Sequence, residues 1–140
     1  TALFCWGSSA CGQLGNEDDD TFVNTPQLSN FPIGSRDWIL GVGGGTVCAA
    51  SRDVGGAPRP LFCWGDGSDS KLLGPAEVGD ASEAIMVQEN VNDVSVGTTH
   101  ICSVGVDRRV YCWGGNDNGQ AMPGSTSEVS MPTCVSIPAI

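Results

Sequence analysis

Seven cysteines, one histidine and a run of four carboxylates are the residues of this 140-residue chain whose types and spacing could support chemistry. His100 carries the only imidazole. A catalytic histidine needs a nucleophile or a carboxylate arranged around it, and no such grouping recurs with it in the sequence, so catalysis is not expected. Glu17, Asp18, Asp19 and Asp20 stand together in a polar stretch. Such a run is first a solvated loop; its functional reading is a contact for a basic partner or a weak calcium site, since hard cations need several oxygens from one flexible segment. Asp66-Gly67-Ser68-Asp69-Ser70 with Glu77 has part of the spacing of a calcium loop, but Lys71 occupies the place where that loop requires glycine. Gly41 to Gly45 has no following Gly-Lys-Ser/Thr and so reads as tight strand packing, not as a phosphate cradle. No metal and no cofactor are expected.

Cys5, Cys11, Cys48, Cys63, Cys102, Cys112 and Cys134 include no Cys-x-x-Cys pair that would suggest a zinc ribbon or a redox site. Disulfides in an oxidising compartment are the expectation, against the alternative of buried free thiols in a cytosolic protein. An odd number leaves at least one cysteine without a partner inside the chain.

The elements that must hold these residues are strands. The chain has 40% hydrophobic and 16% charged residues, enough apolar material for a core, together with 20 Gly and 8 Pro and no helix-rich stretch. Six basic against sixteen acidic residues give a net charge of −10, which repels phosphate backbones and anionic membrane. No apolar run approaches a bilayer span, and Thr1-Ala2-Leu3 lacks the layout of a signal peptide, so a mature or excised chain with no membrane insertion by this segment is expected.

Self-similarity organises the chain. Leu3-Phe4-Cys5-Trp6-Gly7 returns as Leu61-Phe62-Cys63-Trp64-Gly65 and as Val110-Tyr111-Cys112-Trp113-Gly114, with the tryptophans 58 and then 49 residues apart. A period near 50 is too long for helical-pair solenoids and fits a four-stranded propeller blade. Val42-Gly43-Gly44-Gly45-Thr46-Val47-Cys48-Ala49 aligns with Val96-Gly97-Thr98-Thr99-His100-Ile101-Cys102-Ser103. After each Trp-Gly comes a turn: Cys11-Gly12-Gln13-Leu14-Gly15, a degenerate Ser70-Lys71-Leu72-Leu73-Gly74, and Gly119-Gln120-Ala121-Met122-Pro123-Gly124.

Together these blocks resemble the repeat of the chromosome-condensation-regulator family, whose blades carry Gly-x-x-His, a hairpin, Trp-Gly and a Gly-Gln-Leu-Gly turn. The Cys-Trp-Gly variant is similar to secreted members, such as crinkly-type receptor ectodomains and bacterial surface propellers. The resemblance implies an all-β propeller fold and says little of function, because propellers of one family serve as exchange factors, enzyme inhibitors and receptor ectodomains. Strands are predicted near 3–6, 25–29, 38–43, 46–52, 60–64, 84–88, 91–96, 100–106, 109–113 and 133–137. That is about two and a half four-stranded antiparallel blades: the second half of an incomplete blade in 1–36, blade one in 37–90 and blade two in 91–140. Two and a half blades cannot close a ring, so further blades or identical subunits are expected to cover the exposed edges.

Within the repeat, Cys48 and Cys63 flank one hairpin turn and Cys102 and Cys112 flank the equivalent one, so both pairs are expected to be disulfides. Cys5 occupies the place of Cys63 and Cys112, while Cys11 and Cys134 have no counterparts. Bonds among these three, across a subunit boundary, or to an absent partner all stay open. Trp6, Trp64 and Trp113 share one repeat position and are expected to pack between sheets, with His100 packed in the family-like Gly-x-x-His position. Trp38 stands outside the repeat and is the candidate for an exposed contact. Ser125, Thr126 and Ser127 could accept O-linked sugar on composition alone, and there is no Asn-x-Ser/Thr sequon.

A non-catalytic extracellular module binding protein or glycan through its variable loops is the first expectation. A fibre or coat subunit built from interlocking incomplete blades is the alternative. A nuclear exchange factor fits poorly with the acidic charge and the cysteine pairs.

Overall fold

Each Trp-Gly pentapeptide forms a strand that ends in a bulge, and the glycine makes the bulge possible. Gly7, Gly65 and Gly114 have φ of 112°, 102° and 104°, a region closed to most side chains. The computed structural model describes residues 2–16, 22–31, 37–51, 59–67 and 79–136. Among these residues every regular element is a strand: β1 Phe4–Ser8, β2 Phe22–Leu28, β3 Trp38–Gly43, β4 Thr46–Ser51, β5 Leu61–Gly65, β6 Ala81–Gln88, β7 Val91–Val96, β8 His100–Gly105, β9 Val110–Gly114 and β10 Val129–Cys134.

They assemble into three antiparallel sheets, β1-β2, β3-β4-β5-β6 and β7-β8-β9-β10. The all-β, partial-propeller expectation therefore holds. The outer strands begin earlier than predicted: β2 at Phe22 instead of 25, β6 at Ala81 instead of 84 and β10 at Val129 instead of 133. These strands are half exposed, so they lack the alternation of apolar and polar residues that marks a strand buried on one face.

The core lies between sheets. Ile39, Cys48, Ala50, Leu61 and Cys63 of the second sheet meet Val91, Val94, Ile101 and Trp113 of the third. Phe31, Val47, Ala49 and Trp64 form a second cluster, with Leu3 of the first segment packed against it. The forward face of each complete sheet thus carries its disulfide, and the backward face its tryptophan. Packing is closest where β3 meets β7. A Cβ on Gly41 would stand 2.9 Å from Val96 Cγ2, and one on Gly43 would collide with the Val96 carbonyl oxygen. Gly41, Gly43 and Gly44 serve the approach to β7 and the turn after it, whereas a Cβ on Gly45 would meet Asp66.

Candidate functional site

The repeated cysteines face one another directly across neighbouring strands. Cys48 pairs with Cys63 between β4 and β5, and Cys102 with Cys112 between β8 and β9. Both pairs form disulfides, with Cα atoms 4.1 and 4.2 Å apart. Cys5, Cys11 and Cys134 are thiols and are not joined to one another. Cys5 sits half-buried on β1, and burial pushes its thiol above the ordinary range.

The tryptophans divide by position. Trp64 and Trp113 are 0% exposed, whereas Trp6 is 61% exposed, so the expected packing role does not extend to Trp6 in this structure. The Trp64 indole lies against the preceding sheet: its ring stacks on Phe31 at 5.2 Å, and its Nε1 donates to the Gln13 carbonyl at 3.0 Å. Trp38 also departs from expectation. It is half-buried, edge-on to Phe31 at 4.8 Å, and is a packing residue more than an exposed contact.

His100 opens β8 with its ring against Gly97; a Cβ there would stand 2.8 Å from the imidazole Cε1. The Gly97 amide donates to the His100 carbonyl at 2.8 Å, closing the tight turn. Glycine and histidine in Gly-x-x-His are therefore one packing unit. Glu17, Asp18, Asp19 and Asp20 lie outside the described residues, as do Ser68 to Glu77 of the calcium-like loop.

Three features escape a reading of the sequence. Asn116 is 1% exposed and ties together the loop after β9. Its Nδ2 donates to the carbonyls of Met122, Ser125 and Ser127 at 3.3, 3.0 and 3.0 Å, and its Oδ1 accepts from the amides of Ala121 and Met122 at 2.9 and 2.8 Å. The repeat-equivalent Ser9 is buried, and its hydroxyl has no hydrogen-bond partner among the described residues. The position three residues after each tryptophan is the signal available, and its residue type changes between repeats.

The second feature is the β8–β9 turn. Asp107 accepts hydrogen bonds from the Arg109 amide at 3.1 Å and the Tyr111 hydroxyl at 2.8 Å. The Arg109 amide, then the Tyr111 hydroxyl, hold the Asp107 carboxyl below its usual range, and the Asp107 contact pushes Tyr111 up. The third is a meeting of Cys11, Asp66 and Asp80, whose ligand atoms lie within 4.8 Å of one another. One sulfur and two oxygens could contribute to a metal site; Cys11 and Asp66 also have further interactions.

Between the first two sheets opens a cleft of about 320 Å³ bordered by Gly15, Ser29, Asn30, Phe31 and Trp64. Tryptophan and phenylalanine sit at its floor, and the described residues around it include no nucleophile and base in hydrogen-bond contact.

Stacked antiparallel sheets with a repeated tryptophan wedge define the chain as part of a β-propeller. Residues 91–120 match the family model described as the Regulator of chromosome condensation (RCC1) repeat. The chain is 27% identical over 133 residues to the ultraviolet-B receptor UVR8 of Arabidopsis thaliana, covering 91% of this chain and 28% of that protein. Human WBSCR16 superposes with a TM-score of 0.79 at 22% identity, over 98% of this chain and 35% of that one. Prp20p of Saccharomyces cerevisiae superposes with a TM-score of 0.78 at 20% identity, over 98% and 34%. Yeast RCC1 (Prp20), solved bound to Kap60, gives 0.77 at 20% identity, over 97% and 33%. A repeat of the RCC1 type is matched over residues 91–120, the chain shares the β-propeller fold of these solved structures, and it spans about a third or less of the length of each of these relatives.

Proposed function

We propose that this chain is a non-catalytic propeller module that binds protein or glycan outside the cytosol through the loops that join its strands. The observation that carries this reading is how the fully buried side chains are used. Trp64, Trp113, Leu61, Ile101 and Val91 pack sheets together, and Asn116 and Thr46 hold loops in place. Packing thus occupies the repeated positions, and recognition falls to the residues between them. A relative of the same fold was solved bound to Kap60, and the Prp20p structure was described with its binding to Gsp1p and histones; both support a protein partner. The net charge of −10 favours a basic partner over nucleic acid. Two cross-strand disulfides support an oxidising compartment.

Binding is tested by presenting the folded chain to arrays of extracellular proteins and of glycans. A variant with Glu17, Asp18, Asp19 and Asp20 changed to Asn or Gln serves as the comparison. Saturable binding that weakens with added salt and in the variant supports an acidic recognition loop. Absence of binding on both arrays counts against the module reading.

A second reading, a fibre or coat subunit, draws on the apolar residues exposed at the two ends of the stack. Phe4, Trp6 and Phe22 are exposed on the first sheet, and Met131 on the third, with Val106 exposed in the β8–β9 turn. Concentration-dependent polymers of the isolated chain in sedimentation would favour it.

A further inference from the structure

Phe62 and Tyr111 share one place in the repeat, yet their surroundings differ. Phe62 is covered by Phe31, edge-on at 5.5 Å, a residue of the connection 29–37 between β2 and β3. The connection between β6 and β7 is Glu89 and Asn90 alone, too short to supply a residue in the place of Phe31. What remains beside Tyr111 is a notch of about 210 Å³, bordered by Gln88, Glu89, Asn90, Val106 and Asp107.

The notch is held in shape from behind. The Val106 amide donates to the Asn90 carbonyl at 2.8 Å and joins the β6–β7 and β8–β9 turns. Asn92 Nδ2 donates to the Gly105 carbonyl at 3.2 Å. The Tyr111 hydroxyl donates to Asp107, and a Cβ on Gly105 would stand 3.1 Å from the Tyr111 ring, so glycine there leaves the ring its place. Asn90 and Arg108, with φ of 59° and 66°, are the two residues other than glycine with positive φ among the described residues, and each sits in one of these two turns. Such a backbone costs energy in a residue with a Cβ and persists where its surroundings fix it.

Polar groups are left over at the rim. The side chains of Glu89 and Asn90 are exposed and make no hydrogen bond or ion pair among the described residues. Gln88 Oε1 accepts from the Ser103 hydroxyl at 2.6 Å, which fixes the amide and leaves its Nε2 as a donor. Glu89 and Asp107 are balanced by Arg108 and Arg109 within the same two turns, so the notch has no net charge in a chain that carries −10.

We propose that this notch binds one neutral saccharide unit of a glycan, with the sugar ring against Tyr111 and its hydroxyls on Glu89 and Asn90. The inference rests on the recognition reading above and narrows it to glycan and to one place. An aromatic ring receives the apolar C–H surface of a sugar, and carboxylate and amide groups pair with neighbouring hydroxyls as acceptors and donors. The two guanidinium groups disfavour a cationic side chain, and the two carboxylates disfavour an acidic sugar.

The test is a titration of the 15N-labelled chain with the methyl glycosides of glucose, galactose, mannose and N-acetylglucosamine, followed by amide shifts. Arginine methyl ester and glucuronate serve as the charged counterparts. We expect at least one neutral glycoside to saturate with a Kd of about 1–10 mM, its shifts concentrated at residues 88–90 and 105–111. Asn90→Gly keeps the positive φ and removes the amide, and Glu89→Gln removes the charge at an exposed position; each should weaken binding about fivefold or more with the amide spectrum otherwise unchanged. No saturation by any neutral glycoside up to about 100 mM overturns the proposal. So do shifts centred elsewhere, unchanged affinity in both variants, or tighter binding of arginine methyl ester or glucuronate at the same amides. Blank protein and glycan arrays with this titration intact would remove the recognition reading and leave the notch standing. A glycan-array signal that survives both substitutions would do the reverse.

Discussion

The Trp64 indole Nε1 donates a hydrogen bond to the backbone carbonyl of Gln13, 51 residues earlier in the chain and in the turn that follows β1. One contact thus ties the Trp-Gly position of one repeat to the Gly-Gln-Leu-Gly turn of the repeat before it. Trp64→Phe removes the donor and leaves a void between sheets, a loss of about 2–3 kcal/mol in urea unfolding. Trp6→Phe in the same chain changes stability by about 0.5 kcal/mol or less, since this indole is mostly in solvent. Equal losses at the two positions would contradict the wedge account.

Asn116 and Ser9 make a second matched pair. Asn116→Ala strands buried carbonyls and amides of the loop after β9 and should cost about 2–4 kcal/mol. Ser9→Ala removes a buried hydroxyl that has no partner among the described residues, and thermal melting should show no loss or a slight gain. A large loss for Ser9→Ala would mean that its hydroxyl is satisfied in solution.

Close approach at the inner strands separates two glycines. Gly43→Ala drives a methyl group into the Val96 carbonyl and should destabilise the β3–β7 contact by about 2 kcal/mol or more. Gly79→Ala meets no atom within 4 Å and should leave the melting temperature unchanged or slightly raised.

The β8–β9 turn sets a pH dependence with two limits. Asp107 has its pKa lowered on folding, so its contribution is present above its ordinary value and is lost as pH falls through the depressed one. Tyr111 has its pKa raised, so its contribution is present below its ordinary value and is lost as pH rises through the raised one. Both groups are in solvent, and the effect on global stability is small. The sharper readout is the ultraviolet titration of Tyr111: Asp107→Asn should bring its ionisation down toward the ordinary tyrosine range. An unchanged titration would show that the hydrogen bond does not persist.

Much of this arrangement is legible in the order of residues, and the reason is repetition. Three Cys-Trp-Gly pentapeptides mark the positions of β1, β5 and β9, and for the latter two the cysteines one hairpin earlier set the register with β4 and β8, because facing residues recur at equivalent places. The starts of β2, β6 and β10 are not legible, since half-exposed outer strands carry no strong alternation. Trp38 reads as a surface contact because it lies outside the repeat; its burial depends on Phe31, a residue in a connection with no counterpart to compare. Asn116 escapes for the opposite reason: the position is repeated, but Ser9 and Gly67 occupy it elsewhere, so residue type gives no pattern. The meeting of Cys11, Asp66 and Asp80 depends on how two sheets stack, which no spacing within one repeat encodes.

The central claim is that consecutive blades are stapled in one register outside the reducing cytosol, and it is tested most directly by proteolysis of the unreduced protein followed by mass spectrometry of the linked peptides. The account predicts two linkages, Cys48 with Cys63 and Cys102 with Cys112, each contributing about 3 kcal/mol that is lost on reduction. Recovery of these four cysteines as free thiols would contradict the compartment, and linkage in any other pairing would contradict the blade register itself.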